Sequence, residues 1–164
     1  MHITGMNVAQ VDTVRQWKLG TLGRDADGKV YKYVQLKNTT ATVAVVAGDA
    51  VAYGVDSGYL NGLVVSDVTD AATIPVGAGL VQATIAGVAG TSYFCWIQIR
   101  GSAITAQAIG GTPADGDQLM MSTTDKVLTK QLFAGTTPNI AAAGPGVAIG
   151  TDVSAKHITC NFPE

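Results

Sequence analysis

Residues 91–101, with the sequence TSYFCWIQIRG, constrain the fold of this chain more than any other segment. The segment is rich in aromatic and β-branched residues and stands between glycine-rich stretches, which is typical of a β-strand. Side chains of a strand alternate between two faces, so Phe94 and Trp96 share one face while Cys95 and Ile97 share the other. Because both faces are apolar, we predict a strand that is covered on both sides. The alternative is that the face of Phe94 and Trp96 is a subunit interface or a ligand platform.

Short alternating segments, separated by glycine and aspartate, make up most of the remaining chain. The sequence Asp25-Ala26-Asp27-Gly28 precedes the alternating run at 30–36, and this combination predicts a β-hairpin. Strands at such short spacing predict an all-β fold, a small sandwich or barrel of short antiparallel strands. The residues that we expect in the core are Val51, Val65, Val81, Ile85, Trp96, Ile97, Ile99, Leu119, Ile149, Ile158 and Phe162.

A weak internal repeat links two parts of the chain. The pair Gly48-Asp49 and the pair Gly116-Asp117 each precede a predicted strand, a turn and a later apolar strand. Chance similarity between glycine-rich hairpins is the alternative explanation. The second copy carries an insertion at 130–144 that is rich in alanine, glycine, threonine and proline. We expect this insertion to be a surface loop and a second candidate for contact with a neighbouring chain.

The first 21 residues differ from the rest of the chain. Their apolar residues recur at every third position, which would form one stripe on a helix. β-branched residues disfavour a helix, and the segment could equally be an extended arm. We predict an N-terminal interaction arm at 1–21 and one β-domain at 22–164. The residues that we predict to contact another chain, with Trp17 as the anchor, are Val8, Val11, Val14, Trp17, Phe133 and Pro138.

Charge is scarce in this chain. Charged residues make up 13% of it, about half the usual quarter, which predicts that other subunits cover part of the surface. The alternative is a merely neutral soluble domain. The net charge of −2 and the absence of a basic run predict neither nucleic-acid nor membrane partners. No apolar run approaches the roughly 18 residues that span a bilayer. We expect synthesis in the cytoplasm, with Cys95 and Cys160 as buried, reduced thiols.

The residues that could carry chemistry do not form a recognisable site. Residues 25–28 resemble the start of a calcium loop, but further ligands and the terminal glutamate are missing, so a hairpin turn is favoured. His157 and Cys160 stand three apart, which in a strand places them on opposite faces. Glu164 is the only glutamate, and no nucleophile-elbow motif is present. We therefore predict no enzyme activity, no metal site and no cofactor.

Four segments together resemble the capsid decoration (cement) proteins of tailed phages. They are IPVGAGLVQATIAGVA at 74–89, YFCWIQIRG at 93–101, GDQLMMS at 116–122 and GVAIG at 146–150. The resemblance covers residues 40–160 and consists of strand and turn patterns. It implies a small β-rich virion protein on the capsid exterior, often a homotrimer, which binds the major capsid protein. Such a protein bridges neighbouring capsomers and stabilises the expanded shell.

Two other functions make different predictions about the site. A tail-fibre or adhesin-type carbohydrate-binding module predicts aromatic residues beside aspartate or asparagine at loop tips, for which Tyr53, Tyr59 and Asn61 are the candidates. A small enzyme predicts a pocket around His157 and Cys160. We expect the first function, a structural protein of the capsid exterior.

Overall fold

The structure, a computed structural model, describes residues 2–3, 6–54, 62–69, 75–104, 112–131, 146–149 and 157–162; at 2–3, 146–149 and 157 it describes the backbone only. Across these residues the chain forms twelve β-strands and no helix. The strands are β1 (His2–Ile3), β2 (Val11–Asp12), β3 (Leu22–Arg24), β4 (Val30–Leu36), β5 (Ala50–Tyr53), β6 (Leu63–Val65), β7 (Gly77–Val81), β8 (Tyr93–Ile104), β9 (Gln118–Met121), β10 (Leu128–Lys130), β11 (Gly146–Ile149) and β12 (His157–Asn161).

Five of these strands close into a barrel. The ring runs β4–β6–β5–β7–β8 and returns to β4. The predicted all-β fold is therefore confirmed, and the architecture is a small barrel with additional strands. One pair in the ring, β4 with β6, is parallel, whereas the sequence predicted antiparallel strands. The difference arises because β5 and β6 form an antiparallel pair, and β6 is the member of that pair that lies beside β4.

One hydrophobic core, shared by the barrel and the strands beside it, contains most of the predicted core residues. Buried residues from that prediction are Val51, Val81, Ile85, Ile97, Ile99, Leu119, Ile158 and Phe162. Val65 is partly buried against this core, and the side chain of Ile149 lies outside the described residues. Trp96 is also buried, but it belongs to a separate cluster outside the barrel.

Strand β8 is twelve residues long and extends beyond the barrel. All twelve strands form one continuous sheet, and we call the part of it formed by β12, β11, β9 and β10 the second sheet. The first part of β8 pairs with β4 and β7 in the barrel, while its last residues pair with β12. From β12 the second sheet continues through β11 and β9 to β10. The segment that the sequence singled out thus connects the barrel to the second sheet.

The predicted hairpin at 25–28 is confirmed, since β3 and β4 pair in antiparallel register around it. The two carboxylate oxygens of Asp25 hold the turn. One accepts the backbone N–H of Lys29 at 2.9 Å, and the other accepts the hydroxyl of Tyr31 at 2.9 Å. Both oxygens are therefore used within the hairpin, which favours a structural role for Asp25 over a role as a cation ligand.

The two Gly-Asp pairs of the sequence repeat adopt the same turn. Gly48 and Gly116 have φ of 93° and 86°, a region that glycine reaches without steric cost. The N–H groups of Asp49 and Asp117 each donate to the carbonyl three residues earlier at 3.1 Å. Their carboxylates accept the N–H of that same residue, at 2.9 Å and 2.6 Å. The strands that follow then diverge, because β5 joins the barrel and β9 joins the second sheet.

A buried polar network around Asn38 ties three loops together. Its amide group donates to Ser66 Oγ at 2.9 Å and to the carbonyl of Gly87 at 3.1 Å. Its amide oxygen accepts the backbone N–H groups of Ser66 and Asp67 at 3.0 and 3.3 Å. Since each buried polar group has a partner, the network stabilises the end of the barrel instead of weakening it.

Candidate functional site

A layer of aromatic side chains covers the outer face of β4 and β8. Tyr31, Tyr33 and Trp96 are buried there, and Phe94 packs against them. The ring centroids of Tyr33 and Trp96 are 5.1 Å apart, and those of Tyr33 and Phe94 are 6.4 Å apart. At these separations aromatic rings attract one another beyond the effect of burial alone. The layer forms its own hydrophobic cluster, distinct from the barrel core, so β8 is covered on both faces as predicted.

The N-terminal segment of the chain covers this aromatic layer. We call residues 6–19 the N-terminal strap. Met6, Val8 and Leu19 of the strap pack against the aromatic cluster. Met6 occupies the space beside Gly23, where a Cβ would overlap its Sδ atom. The missing side chain at position 23 therefore admits the strap to the barrel wall.

The strap has an irregular path. It contains strand β2, in which Val11 and Asp12 pair with Cys95 and Phe94 of β8, and it contains no helix. The spacing of apolar residues at every third position therefore does not reflect a helical stripe. Tertiary contacts with the barrel decide which side chains turn inward, and propensity alone cannot reveal them.

The middle of the strap is exposed, although its ends are anchored. Residues 13–18 all lie on the surface, including Val14 at 69% exposure and Trp17 at 42%. The backbone N–H of Gln16 donates to the hydroxyl of Tyr33 at 3.2 Å. Burial raises the pKa of Tyr33, so its hydroxyl stays protonated at neutral pH. This hydrogen bond links the exposed middle of the strap, which carries Val14 and Trp17, to the barrel.

The structure divides the predicted contact residues into three groups. Val8 and Val11 face the chain's own barrel, Val14 and Trp17 face outward, and Phe133 and Pro138 lie outside the described residues. Contact of these residues with another chain stays a prediction.

Sequence reasoning missed two further anchors of the strap, Met6 and Leu19. Alternation of Met6 with Val8 around Asn7 was the available signal for the first. Leu19 stands alone between polar residues and glycine, so no pattern in the sequence marks it.

A buried lysine lies at the barrel wall. Lys32 of β4 is 5% exposed, and its Nζ donates to the hydroxyl of Tyr53 at 2.7 Å. The same Nζ lies 5.0 Å from the centre of the Tyr53 ring, within cation–π distance. Tyr53 is thus a buried partner of a cation and not an exposed sugar platform. The other sugar-binding candidates, Tyr59 and Asn61, lie outside the described residues.

The cysteines lie in environments that suppress their reactivity. Burial raises the pKa of both thiols from 9.0 to about 12, although the nearby charge of Lys29 partly opposes this effect at Cys160. Because the thiolate is the nucleophile, both side chains are inert near neutral pH. Among the residues that the structure describes, no group of three or more histidine, cysteine, aspartate or glutamate side chains could hold a metal ion. The side chain of His157 lies outside them.

An open groove of about 400 Å³ runs beside the end of β8. Its polar side chains are partly used within the protein, since the amide of Gln98 donates to the carbonyls of Arg100 and Ser102. No aromatic side chain lines the groove in the described part of the chain, which makes it a poor stacking surface for a sugar ring. The lining residues are Lys29, Ala47, Gly48, Leu80, Gln82, Gln98, Ser102, Ala103 and Ile104.

Comparison with protein-family models, with curated proteins and with solved structures finds no match for this chain. Within the described residues, the structure contains no helix of the length and hydropathy that a membrane span requires. The features of the molecule that bear on its function are therefore the strap, the aromatic layer beneath it, and the exposed side chains of Val14 and Trp17.

Proposed function

We propose that this protein is a non-catalytic structural component of a phage virion. In this proposal it binds the outer surface of the capsid and bridges neighbouring capsomers of the expanded shell. The observation that carries the proposal is the exposure of Val14 and Trp17 on a strap whose ends are anchored to a closed barrel. The resemblance of residues 40–160 to capsid decoration proteins adds the phage context.

The strap has the properties of a protein-contact surface. Tryptophan is among the residues that contribute most to protein–protein binding, and Trp17 is 42% exposed. The hydrogen bond from Gln16 to Tyr33 restrains the surrounding backbone, so binding has less of it to order. Such preorganisation lowers the entropic cost of association. A partner that buries Val14 and Trp17 would gain apolar contact at low cost.

Stabilisation of the shell follows from selective binding. A protein that binds only the expanded arrangement of capsomers shifts the equilibrium toward that arrangement by mass action. The shift grows with occupancy, and at about one hundred times the dissociation constant it amounts to roughly 2.7 kcal/mol per site. Many sites on one shell multiply the effect. No chemical step is needed, which agrees with the inert cysteines and the internally bonded Asp25.

Co-sedimentation tests the proposal. The purified full-length protein is mixed with unexpanded and expanded shells of the virus whose genome encodes it, and the bound fraction is measured against concentration. We expect binding to expanded shells alone. Trp17→Ala should weaken it by about thirtyfold, because contact hot spots contribute roughly 2 kcal/mol or more.

Matched controls separate contact from folding. Val14→Ala should also weaken binding, whereas Val88→Ala, at another exposed valine, should not. Thermal unfolding of Trp17→Ala should match that of the unaltered protein. Loss of the fold in this variant would place Trp17 in the core of the domain, and undiminished shell binding would remove Trp17 from the contact surface.

A further inference from the structure

We propose that residues 6–12, the anchored half of the strap, also bind the aromatic layer of a second copy of this chain. This inference rests on the proposed function in one respect, the role of the strap as a protein-contact surface, and besides the capsid it adds a second copy of the chain as a partner. Exchange of an identical element between protomers preserves every contact that the element makes, so it is a low-cost route to oligomers.

The packing of the chain separates the strap from the fold that supports it. The aromatic cluster, Tyr31, Tyr33 and Trp96, is distinct from the barrel core. Met6, Val8 and Leu19 of the strap pack against the aromatic cluster, and Val11 packs against the edge of the barrel core. The five barrel strands close among themselves and leave the strap outside the ring. The contact between strap and barrel therefore resembles an interface between two parts, which can form within one chain or between two.

The contacts of the anchored half suit either arrangement. Met6 fits beside Gly23, and Val8 packs against the aromatic cluster. Val11 and Asp12 add a short antiparallel strand to β8. Strand addition of this kind is a general mode of binding between chains, in which main-chain hydrogen bonds give affinity and side-chain pockets give specificity.

The exposed half of the strap is suited to act as the hinge. Residues 13–18 are all exposed, and the hydrogen bond from Gln16 to Tyr33 is the contact to be broken when they extend. Fully extended, such a segment spans roughly 20 Å at about 3.3–3.6 Å per residue. Beyond the hinge, Gly20 and Thr21 bond to both backbone groups of Tyr33 and stay with their own barrel.

Burial of the exposed apolar residues provides a difference in free energy between the closed monomer and the exchanged assembly. A ligand shifts an equilibrium only through a difference in free energy between its states. Val14 and Trp17 lie in the hinge, and they face water when the strap binds its own barrel. In the exchanged assembly the hinge crosses from one barrel to the next, where both side chains meet a second surface.

Concentration decides how often the exchange occurs. Within one chain the strap meets its site at an effective concentration in the millimolar range, so the closed monomer prevails in dilute solution. Exchange should increase as the protein concentration approaches that range. Copies held side by side on a shell would be in this regime.

One substitution in the full-length protein reports the exchange. Val11 lies directly opposite Cys95 in the β2–β8 pair. Opposed residues of antiparallel strands have Cα atoms about 4.5–5.5 Å apart, within the range of a disulfide. In Val11→Cys, the partly exposed thiol at position 11 attacks diamide first, and the opposed thiol of Cys95 then displaces the resulting hydrazine and completes the disulfide. Two protons and two electrons pass from the two thiols to diamide. The disulfide lies within one chain if the strap binds its own barrel, and between two chains if the strap binds the barrel of another copy.

Non-reducing electrophoresis separates the two results, without any shell present. We expect covalent dimers and trimers whose fraction rises with protein concentration up to about 1 mM. Adding Cys95→Ser to Val11→Cys should abolish them, and the unaltered protein should give none because its cysteines are buried. A disulfide confined to single chains at every concentration would overturn the inference.

Light scattering covers the case in which no disulfide forms. The mass of one chain at every concentration up to about 1 mM would then overturn the inference, and a mass that rises in steps of one chain would support it. Failure of the protein to bind shells would contradict the proposed function and would leave the cross-linking result unchanged. The two proposals can thus fail separately.

Discussion

Tyr33 connects the barrel to the strap, and two substitutions separate the contribution of its hydroxyl from that of its ring. The side chain is 1% exposed, and its ring lies between those of Trp96 and Phe94. Tyr33→Ala removes the ring and leaves a cavity, which costs about 3–5 kcal/mol of the free energy of unfolding. Tyr33→Phe removes only the acceptor of the Gln16 N–H. Because Gln16 is exposed and water can replace the hydroxyl, we expect a cost of about 0.5 kcal/mol.

Two assays measure these effects separately. Urea unfolding reports the whole fold, whereas trypsin cleaves after Arg15 and Lys18 and reports opening of the exposed half of the strap. Tyr33→Phe should leave the urea midpoint nearly unchanged and raise the cleavage rate about two- to fivefold, the factor that corresponds to 0.5–1 kcal/mol of local opening. Tyr33→Ala should change both. Equal losses of stability in the two variants, or an unchanged cleavage rate in both, would refute the role assigned to Tyr33.

Three further predictions concern the barrel. Asn38→Ala leaves several buried polar groups without a partner and should lower the free energy of unfolding by about 3–5 kcal/mol in urea titrations, while a loss below about 1 kcal/mol would mean that water replaces the amide. Gly79→Ala would place a Cβ 2.8 Å from the carbonyl oxygen of Gln98 and should cost about 1–3 kcal/mol. Gly54→Ala is its control, because the nearest atoms to a Cβ there are 3.9 Å away, and equal costs at both positions would contradict this steric argument. Finally, burial raises the pKa of Cys95 from 9.0 to about 12, so the unfolded state loses this proton first as the pH rises. The contribution of this thiol to the free energy of unfolding is complete below pH 9 and falls by about 1.4 kcal/mol at pH 10. In urea titrations at alkaline pH, the free energy of unfolding of Cys95→Ala should therefore decline less steeply with pH than that of the unaltered protein. An equally steep decline would exclude the thiol of Cys95 as its cause.

The parts of the fold that the sequence predicted are those with local signals. Alternation in residues 91–101 predicted a strand with two apolar faces, and the structure places the barrel core on one and the aromatic layer on the other. Turn residues at 25–28 predicted the hairpin for an equally local reason. The parallel pairing of β4 with β6 depends on the order in which distant strands meet, which no local pattern specifies.

The candidate site was predicted only in part. Apolar spacing marked the strap as unusual, but it could not show that Val11 faces inward while Val14 faces outward. The inward position of Val11 depends on the pairing of β2 with Cys95 and Phe94 of β8, which are remote in the sequence. Burial of Lys32 was equally hidden, because its partner Tyr53 is supplied by another strand. Contacts between distant segments, and not propensity, decide both outcomes.

Strand β8 passes from the barrel into the second sheet without interruption. Because one backbone serves both sheets, a tensile force on β12 travels along the covalent chain into the barrel wall. Hydrogen bonds of antiparallel strands lie across the strand direction, so a force along β8 must shear several of them together. Strands whose hydrogen bonds must be sheared together resist a load better than strands whose hydrogen bonds open one after another. Under such a load, the barrel and the second sheet would thus resist extension together.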